Sequence, residues 1–389
     1  MTSLINLLRF LNEKKAFDID ILFMDRYGEL LDNAKAVGRV LGEDRLLQAV
    51  TPTRDKLVRL GRYDLLCIRA VMKLCAIAFH TTTSKFAYHL AAKKYGYKYE
   101  CVVAYQESIA TSFSAYINCR RRLAWVHNSY DNVERICGGS DKLRELYEKF
   151  DKIICVSRAG MKEFRNSSGL KSEKIDYIYN TLDIEQIMTK ATVELSVSLN
   201  SSRNRDQVEN LLSKKKGVIF ISVGRCVEQK RFDKIIDVAK RLKENEYTFG
   251  WIIVGSGELY EKLSKDIHNQ KLEDVVVLTG GLNNPFPVMR AGNIVVVSSD
   301  FEAQPMVVNE ALLLGKPVIT TNYASAKEVV ASNKNGIVCG MSSEQIYVAC
   351  KQILDDPQRL ERLRQEARSF SYNNDDIVQK VICTIEGSK

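Results

Sequence analysis

The chain has 389 residues, 45% apolar and 27% charged, with a net charge of +9, the balance of an ordinary globular protein with material for two domains. The positive charge is spread along the chain, which favours anionic ligands or an anionic membrane surface, and the lack of an arginine-rich tail or nucleic-acid motif argues against nucleic acid as a partner. Ten scattered cysteines with no CxxC pair or His/Cys cluster argue against a disulfide framework or zinc. With no signal-peptide pattern at the N-terminus and no charge-free run of roughly 18 residues, the expected location is the cytoplasm.

The chain opens with MTSLINLLRFLNEKKAF, where Leu4, Leu7, Leu8 and Leu11 recur at helical spacing, and continues into DIDILFM, which predicts a buried strand. From Asp64 to Leu90 an apolar segment is interrupted by Arg69, Lys73 and Lys85. Arg69 and Lys73, four apart, share a helical face. An amphipathic helix of this kind suits an anionic bilayer, aided by the basic cluster AAKKYGYKY after it, and the competing reading is a packing helix with a solvated basic edge. Next come a strand in YECVVAYQ, a helical stretch to Arg120-Arg121-Arg122, and LAWVHNSYDN. His127 sits where a buried strand gives way to a polar loop, the usual place for a ligand-facing residue in an α/β sheet, though loop capping would also use it there. His80, His89 and His268 have no such context. The strand KIICVS, a helix from about Arg158, and KIDYIYNTLD with Asn180 and Asp183 in its turn close this half.

Between Thr192 and Lys216 the composition becomes polar and serine-rich with a lysine run, which predicts a linker, Val208 to Leu212 forming part of a short helix within it. GVIFISVGR then starts a new sheet. Arg225, Lys230 and Arg231 gather around the start of the following helix, where cations oppose the macrodipole by a few tenths of a kcal/mol each unless an anion lies between them. For Arg231 the expectation is a solvated basic edge. In FGWIIVGSGELYEKL, Gly255 and Gly257 permit a close backbone approach. The strands VVVLTG, NIVVVSS, PVITT and GIVC complete an alternating β/α pattern rich in Val and Ile, which implies a parallel sheet covered on both faces. DDPQRLERLRQEARSF and a last helix over about Asp376 to Ile385 end the chain.

The most informative stretch is Asn293 to Thr321. A buried strand, Ile294 to Val297, is followed by a loop carrying Glu302, a helix with Pro305 in its first turn, and a stop at Gly315 and Pro317. Val307, Ala311 and Leu314 form that helix's apolar stripe, and Glu310 falls on the same inward face. An inward carboxylate must find donors, from a basic side chain, the helix dipole or a ligand. With Glu302 eight positions earlier and the free N–H groups of Met306 and Val307 at the helix N-terminus, the set suits hydroxyls at both ends of a ligand and phosphates in its middle. A nucleotide sugar fits that description.

Glu302-x7-Glu310 followed by GKPVI resembles the signature of the retaining glycosyltransferases of family 4, within glycosyl transferases group 1, which have the GT-B architecture. The resemblance implies that Glu302 touches the donor sugar and Glu310 holds the ribose. Gly224-Arg225-x4-Lys230 is similar to the family's G-R-x4-K element, whose Arg and Lys grip the donor diphosphate together with the helix N-terminus at Met306 and Val307. It further implies that the Gly255/Gly257 turn lies near the base, that His127 lies near the donor sugar, and that Asn180 and Asp183 match an N-x-x-D element closing the first domain. The fold implied is α/β, two Rossmann-like domains with parallel sheets facing a cleft. Residues 1–190 would be the acceptor-side domain, 191–216 a linker, 217–370 the nucleotide-sugar domain, and 371–389 a helix crossing back to the first. Two departures stand out: Ala303 where many members have Gly, and an opening on a helix without the family's first strand and glycine-rich loop. The latter leads to the expectation of either a start further upstream or a sheet lacking that strand.

The function so implied is transfer of a hexose, with retention, from a nucleotide sugar, UDP-linked by preference, to a glycan or lipid-linked acceptor in surface polysaccharide biosynthesis, at or near the inner face of the membrane. No cofactor is expected, and no metal, since Arg225 and Lys230 supply the neutralising charge and no DxD cluster is placed to hold Mg²⁺. The alternatives are a non-catalytic nucleotide-sugar-binding protein and a GT-B epimerase.

Overall fold

A computed structural model of the protein describes residues 2–24, 31–213 and 217–387. The chain forms two compact units, Met1–Thr181 with Asn373–Lys389, and Leu182–Tyr372.

In the first unit, β1 (Asp20–Ile21) and β2 (Arg39–Val40) make a short parallel pair, and β3 (Cys101–Ala104), β4 (Arg121–Val126), β5 (Lys152–Cys155) and β6 (Ile175–Tyr177) make a parallel sheet in that order. The runs LAWV and IICV are apolar without alternation because helices cover both faces. Ala124, Val126, Ile153 and Cys155 pack on Leu143, Tyr147 and Phe164. Only Asp20 and Ile21 of DIDILFM pair as strand, and residues 25–30 lie outside the described residues. The last helix, Asn374–Glu386, belongs to this unit, tied by Lys380 Nζ to Asp176 Oδ1 (3.2 Å) and by Asp375 Oδ1 to Lys14 Nζ (2.7 Å).

The apolar segment expected from Asp64 to Leu90 is two helices, Tyr63–Ala78 and Thr83–Ala92, bent by 101°. His80 turns the chain at φ +49°, and the Thr82 hydroxyl caps the second helix by accepting from the Lys85 N–H. Arg69 does not share an exposed face with Lys73. Its Nη1 donates to the Pro52 carbonyl at 2.8 Å, so it serves packing within the unit. Among the described residues no single helix is long and apolar enough to cross a membrane.

The second unit holds six parallel strands, β7 (Val218–Val223), β8 (Phe249–Val254), β9 (Val276–Leu278), β10 (Ile294–Val297), β11 (Val318–Thr321) and β12 (Gly336–Cys339), in the order β12-β11-β10-β7-β8-β9. Successive residues of β7 serve opposite cores, Phe220 packing with Trp251 and Ile253, Ile219 and Ile221 with Ile252 and Val254. The order reverses between β7 and β10, so the connections leaving their carboxyl ends diverge to opposite faces and open a crevice there. Ser222 Oγ ties the two strands by donating to the Val296 carbonyl at 2.7 Å.

The domain boundary and linker differ from expectation. The first unit ends at Thr181, and the described part of 191–216 is folded into the second unit: Leu195–Ser198, a 3₁₀ turn over Leu199–Ser201 and Arg205–Ser213 are helical. Leu199, Val208 and Leu211 are buried against the β7–β8 face. The polar residues that suggest a linker satisfy buried backbone instead: Asn204 Nδ2 donates to the Leu278 carbonyl (2.8 Å) and Ser198 Oγ to that of Asn284 (2.6 Å). The lysine run at 214–216 lies outside the described residues.

Candidate functional site

Two loops meet at the crevice between β7 and β10. One, Gly224 to Arg231, follows β7 and ends in a 3₁₀ turn, Glu228–Lys230; the other, Ser298 to Pro305, follows β10. Three hydrogen bonds lace them: Asp300 N–H to the Gln229 carbonyl (3.0 Å), Gln229 Nε2 to the Phe301 carbonyl (2.8 Å) and Ser298 Oγ to the Lys230 carbonyl (2.7 Å); a fourth, Ser325 Oγ to the Glu302 carbonyl (2.9 Å), braces the second loop from beyond β11. Lys230 Nζ then lies 2.6 Å from Glu302 Oε1, which also accepts from Ser299 Oγ at 2.7 Å. With side-chain exposures of 18% and 9%, this is a largely desolvated contact. Arg231 is not the solvated edge expected of it: at φ +51° its guanidinium bridges Asp233 and Asp300 (2.8 Å each), and Asp300 also accepts from Lys234 (2.5 Å). Two cations on Asp300 anchor the loop that presents Glu302.

The helix Met306–Leu313 begins where that loop ends, with Pro305 at its cap and no side-chain cap. The N–H groups of Met306 and Val307 find no acceptor among the described residues, which leaves them to an anion. Gly315, at φ +67°, terminates the helix. Glu310 makes no side-chain hydrogen bond or ion pair to the described residues, and burial pushes its carboxyl up to about 7 against the pull of Lys230. Arg225 is exposed and also without a side-chain partner among them.

The glycine turn completes the cluster. A Cβ on Gly255 would lie 1.8 Å from the Gly224 carbonyl oxygen, and one on Gly257, at φ +154°, would lie 2.5 Å from that of Cys226. Hydrogen bonds from Gly224 N–H to the Val254 carbonyl (3.0 Å) and from Cys226 N–H to that of Ser256 (2.8 Å) fix the contact. The structure therefore brings Arg225, Lys230, Glu302 and the Gly255/Gly257 turn onto three loops, the one after β7 packed against the other two, with Met306, Val307 and Glu310 on the helix that follows the loop after β10. Gly255→Ala is expected to destabilise the protein by about 3 kcal/mol, since backbone on both sides must shift. Urea unfolding checks this, with an unchanged midpoint counting against so close a packing.

The first unit holds His127 just past the end of β4. Its Nε2 is buried with no partner among the described residues, its ring lies 4.8 Å from that of Tyr105, and burial lowers its pKa to about 4, so at neutral pH it is an uncharged imidazole. The backbone there rests on Glu107, a residue the sequence reading passed over. Glu107 lies past the end of neighbouring β3 and is buried; its Oε1 accepts the N–H groups of His127 and of Asn128 (2.8 Å), and its Oε2 the Asn128 side-chain amide (3.3 Å). The signal was available: an acidic residue just past a strand, the same place in the pattern that marks His127.

Residues 203–370, the larger part of the second unit, match the family model described as glycosyl transferases group 1. The second unit belongs to glycosyl transferases group 1. This chain is 25% identical over 226 residues to the N-acetylgalactosamine-N,N'-diacetylbacillosaminyl-diphospho-undecaprenol 4-alpha-N-acetylgalactosaminyltransferase of Campylobacter jejuni, covering 58% of this chain and 56% of that protein. It is 26% identical over 211 residues to the poly(ribitol-phosphate) alpha-N-acetylglucosaminyltransferase of Staphylococcus aureus, covering 54% of this chain and 38% of that one. The matches thus span about half or less of these relatives. Over 99% of this chain and 95% of the other, the fold is that of Anabaena HepE in complex with UDP-glucose, with a TM-score of 0.73 at 17% identity. The group 1 unit is therefore one half of a GT-B fold, whose other half is the first unit.

Beyond the residues expected from its motifs, the group 1 unit uses Ser299, Ser325, Asp300 and Lys234 to hold Glu302 in place. Ser299 and Asp300 lie on the loop of Glu302 itself, while Lys234 and Ser325 reach it from the connections after β7 and β11, which nothing local in the sequence marks. Asn309, beside Glu310, is fully buried with neither amide atom bonded to a described residue.

Proposed function

We propose that this chain is a retaining glycosyltransferase, of the family 4 type, that moves a hexose from a UDP-sugar to a glycan or lipid-linked acceptor in surface polysaccharide biosynthesis. The observation that carries the reading is the Lys230–Glu302 contact at the β7–β10 crevice, flanked by an arginine, a helix N-terminus and the carboxylate of Glu310, none of which is paired among the described residues. Each group matches one part of a nucleotide sugar. Arg225, Lys230 and the N–H groups of Met306 and Val307 take the diphosphate, Glu310 the ribose hydroxyls, the Gly255/Gly257 turn the base side, and Glu302 the sugar. Polymer acceptors in the names of the relatives, one undecaprenol-linked and one a poly(ribitol-phosphate), support the acceptor class, and UDP-glucose in the HepE complex supports the donor.

In this reading the bond from the anomeric carbon to the diphosphate oxygen breaks as charge builds on the leaving phosphate, which Lys230 and Arg225 stabilise with the helix N-terminus. The acceptor hydroxyl attacks from the same face and gives its proton to the departing phosphate oxygen, so the configuration is retained. Preorganised cations and N–H groups around that oxygen are the main source of rate, and they do so without a metal. Glu302 orients the sugar and stabilises the oxocarbenium-like state. His127, a neutral imidazole, is assigned a hydrogen bond to the sugar.

The test is release of nucleoside diphosphate from UDP-, GDP- and ADP-sugars with a membrane extract as acceptor. Release from a UDP-sugar that depends on acceptor and disappears in Glu302→Ala supports the proposal. Tight nucleotide-sugar binding without any release would favour a binding protein, and conversion of donor alone an epimerase.

Glu310 makes a second prediction. In the free protein its carboxyl keeps its proton up to about pH 7, whereas accepting two ribose hydroxyls requires the ionised form. Binding of UDP should therefore release a proton and tighten as pH rises from about 6 to 8. Stability of the free protein runs the other way: the folded state keeps a proton that the unfolded carboxyl has lost, so stability falls from the ordinary carboxylate range up to about pH 7. Calorimetry in two buffers of different ionisation heat reads the proton. Glu310→Gln should remove that part of the pH dependence, and an unchanged profile in the variant would take Glu310 off the nucleotide. Titration of the nucleotide's own phosphate is common to both proteins.

A further inference from the structure

Half of the protein's exposed large apolar side chains, seven of fourteen among the described residues, fall between Val58 and Phe79. On the helix Tyr63–Ala78 they are aligned. Tyr63, Val71, Leu74 and Ile77 repeat at i, i+8, i+11 and i+14, and they are 63%, 53%, 70% and 62% exposed. Cys67, Ala70 and Ala78 fill the rest of that face, so it carries no charge. Phe79, 70% exposed at the helix end, is held outward by stacking on Phe86 at 5.4 Å. A row of this length is more than the scatter of single apolar residues that any surface shows.

We infer that this face docks the first unit on an anionic lipid bilayer. The charge around it selects that occupant. Residues 54–85 carry seven Lys and Arg against two Asp, and of the acids Asp64, the only one on the helix, is paired with Arg45 (3.0 Å) and Arg62 (3.2 Å). Lys73 flanks the apolar row, and Arg54 and Arg59 lie exposed on the preceding helix, all three without a carboxylate partner among the described residues. An uncharged strip bordered by unpaired cations matches an interface in which side chains enter the acyl boundary while lysine and arginine meet lipid phosphates. A second copy of the same face would bring like charges together. The helix Thr83–Ala92 takes no part in spanning the bilayer: it turns away by 101°, and Ala87, Tyr88, Ala91 and Ala92 are buried in the unit's core. The inference stands on the surface itself; its purpose, bringing the enzyme to a lipid-linked acceptor, rests on the function proposed above.

Vesicle flotation tests it, with vesicles of phosphatidylcholine alone and vesicles that also contain phosphatidylglycerol. Binding to the anionic vesicles is expected, weakened by salt and lowered roughly tenfold or more in Leu74→Glu/Ile77→Glu and less in Lys73→Glu. Thermal unfolding and UDP binding of the variants should match the wild type. Failure of the wild type to float, or undiminished flotation of the double variant, overturns the proposal. So does light scattering that shows a dimer dispersed by the same double substitution, which would make the face a contact between copies. Transfer of sugar to a water-soluble acceptor, with release of UDP, reports separately on the enzyme reading: retained in the double variant while transfer to a vesicle-embedded acceptor is lost, it supports docking, and absent even from the wild type it removes the function without touching the flotation result.

Discussion

Lys230→Met is expected to lower kcat/KM for a UDP-sugar about 10³-fold, the upper end of the range for removing one preorganised donor from a developing oxyanion. In the ligand-free protein Lys230 is engaged with Glu302 at 2.6 Å, so a loss of activity alone would not separate a role on the diphosphate from a role in holding Glu302. Stability separates them. The single variant strands a largely buried carboxylate with Ser299 as its remaining donor, which should cost about 2–3 kcal/mol, less than a fully buried pair because Lys230 keeps some solvent. Adding Glu302→Gln removes the stranded charge, and the double variant should recover most of that stability while staying inactive. If it recovered activity as well, Lys230 would be a structural partner of Glu302 and the diphosphate would have to rest on Arg225 and the helix N-terminus. Chemical denaturation, UDP affinity and kcat/KM on the four proteins make the measurement.

Why some of this site can be read from the sequence and some cannot follows from how it is built. Ile294–Val297 and Val218–Val223 are strands buried on both faces, so their apolar runs are unmistakable, and the loops that follow them carry the chemistry because the switch point lies there. Spacing places Glu302, Arg225 and Lys230 on those loops and Glu310 on the helix after the second. It does not show that Lys230 and Glu302, 72 residues apart, touch, since that depends on the strand order bringing β7 beside β10. Arg231 is misread for the same reason: its partner Asp300 arrives from another strand. The region 191–216 misleads in another way. Its serines and asparagines are those of a linker, yet Leu199, Val208 and Leu211 supply enough apolar surface to fold it on the sheet, and its polar side chains close strand-end carbonyls. Composition cannot distinguish solvated polar groups from polar groups that pair with backbone. The bend after Ala78 turns on a single residue in the left-handed region, His80, which periodicity over a continuous apolar run averages away.

Glu107→Ala carries the largest stability effect expected in the first unit. The carboxylate is buried and receives two backbone N–H groups and one side-chain amide from the turn that positions His127. Without it the N–H groups of His127 and Asn128 lose their acceptor at the end of β4, where each unpaired donor costs about 1–3 kcal/mol, so a total of about 3 kcal/mol or more is expected. Burial raises the pKa of Glu107 although the three donors pull it down, so the folded state holds a proton more firmly than the unfolded chain and stability declines as pH climbs above the ordinary carboxylate range. Glu107→Gln should flatten that decline. It keeps one oxygen for the two backbone donors while turning an NH₂ toward the Asn128 amide, a mismatch that Asn128 relieves by flipping, and it should cost less than the alanine. The two variants also separate folding from function. If Glu107 positions His127 for the sugar, Glu107→Gln stays folded, keeps its affinity for UDP, and loses kcat in proportion to the disturbance at His127, while Glu107→Gln with His127→Ala falls no further than His127→Ala alone. Additive losses in that double variant would show that Glu107 acts on something other than His127, and would confine it to holding the ends of β3 and β4 together.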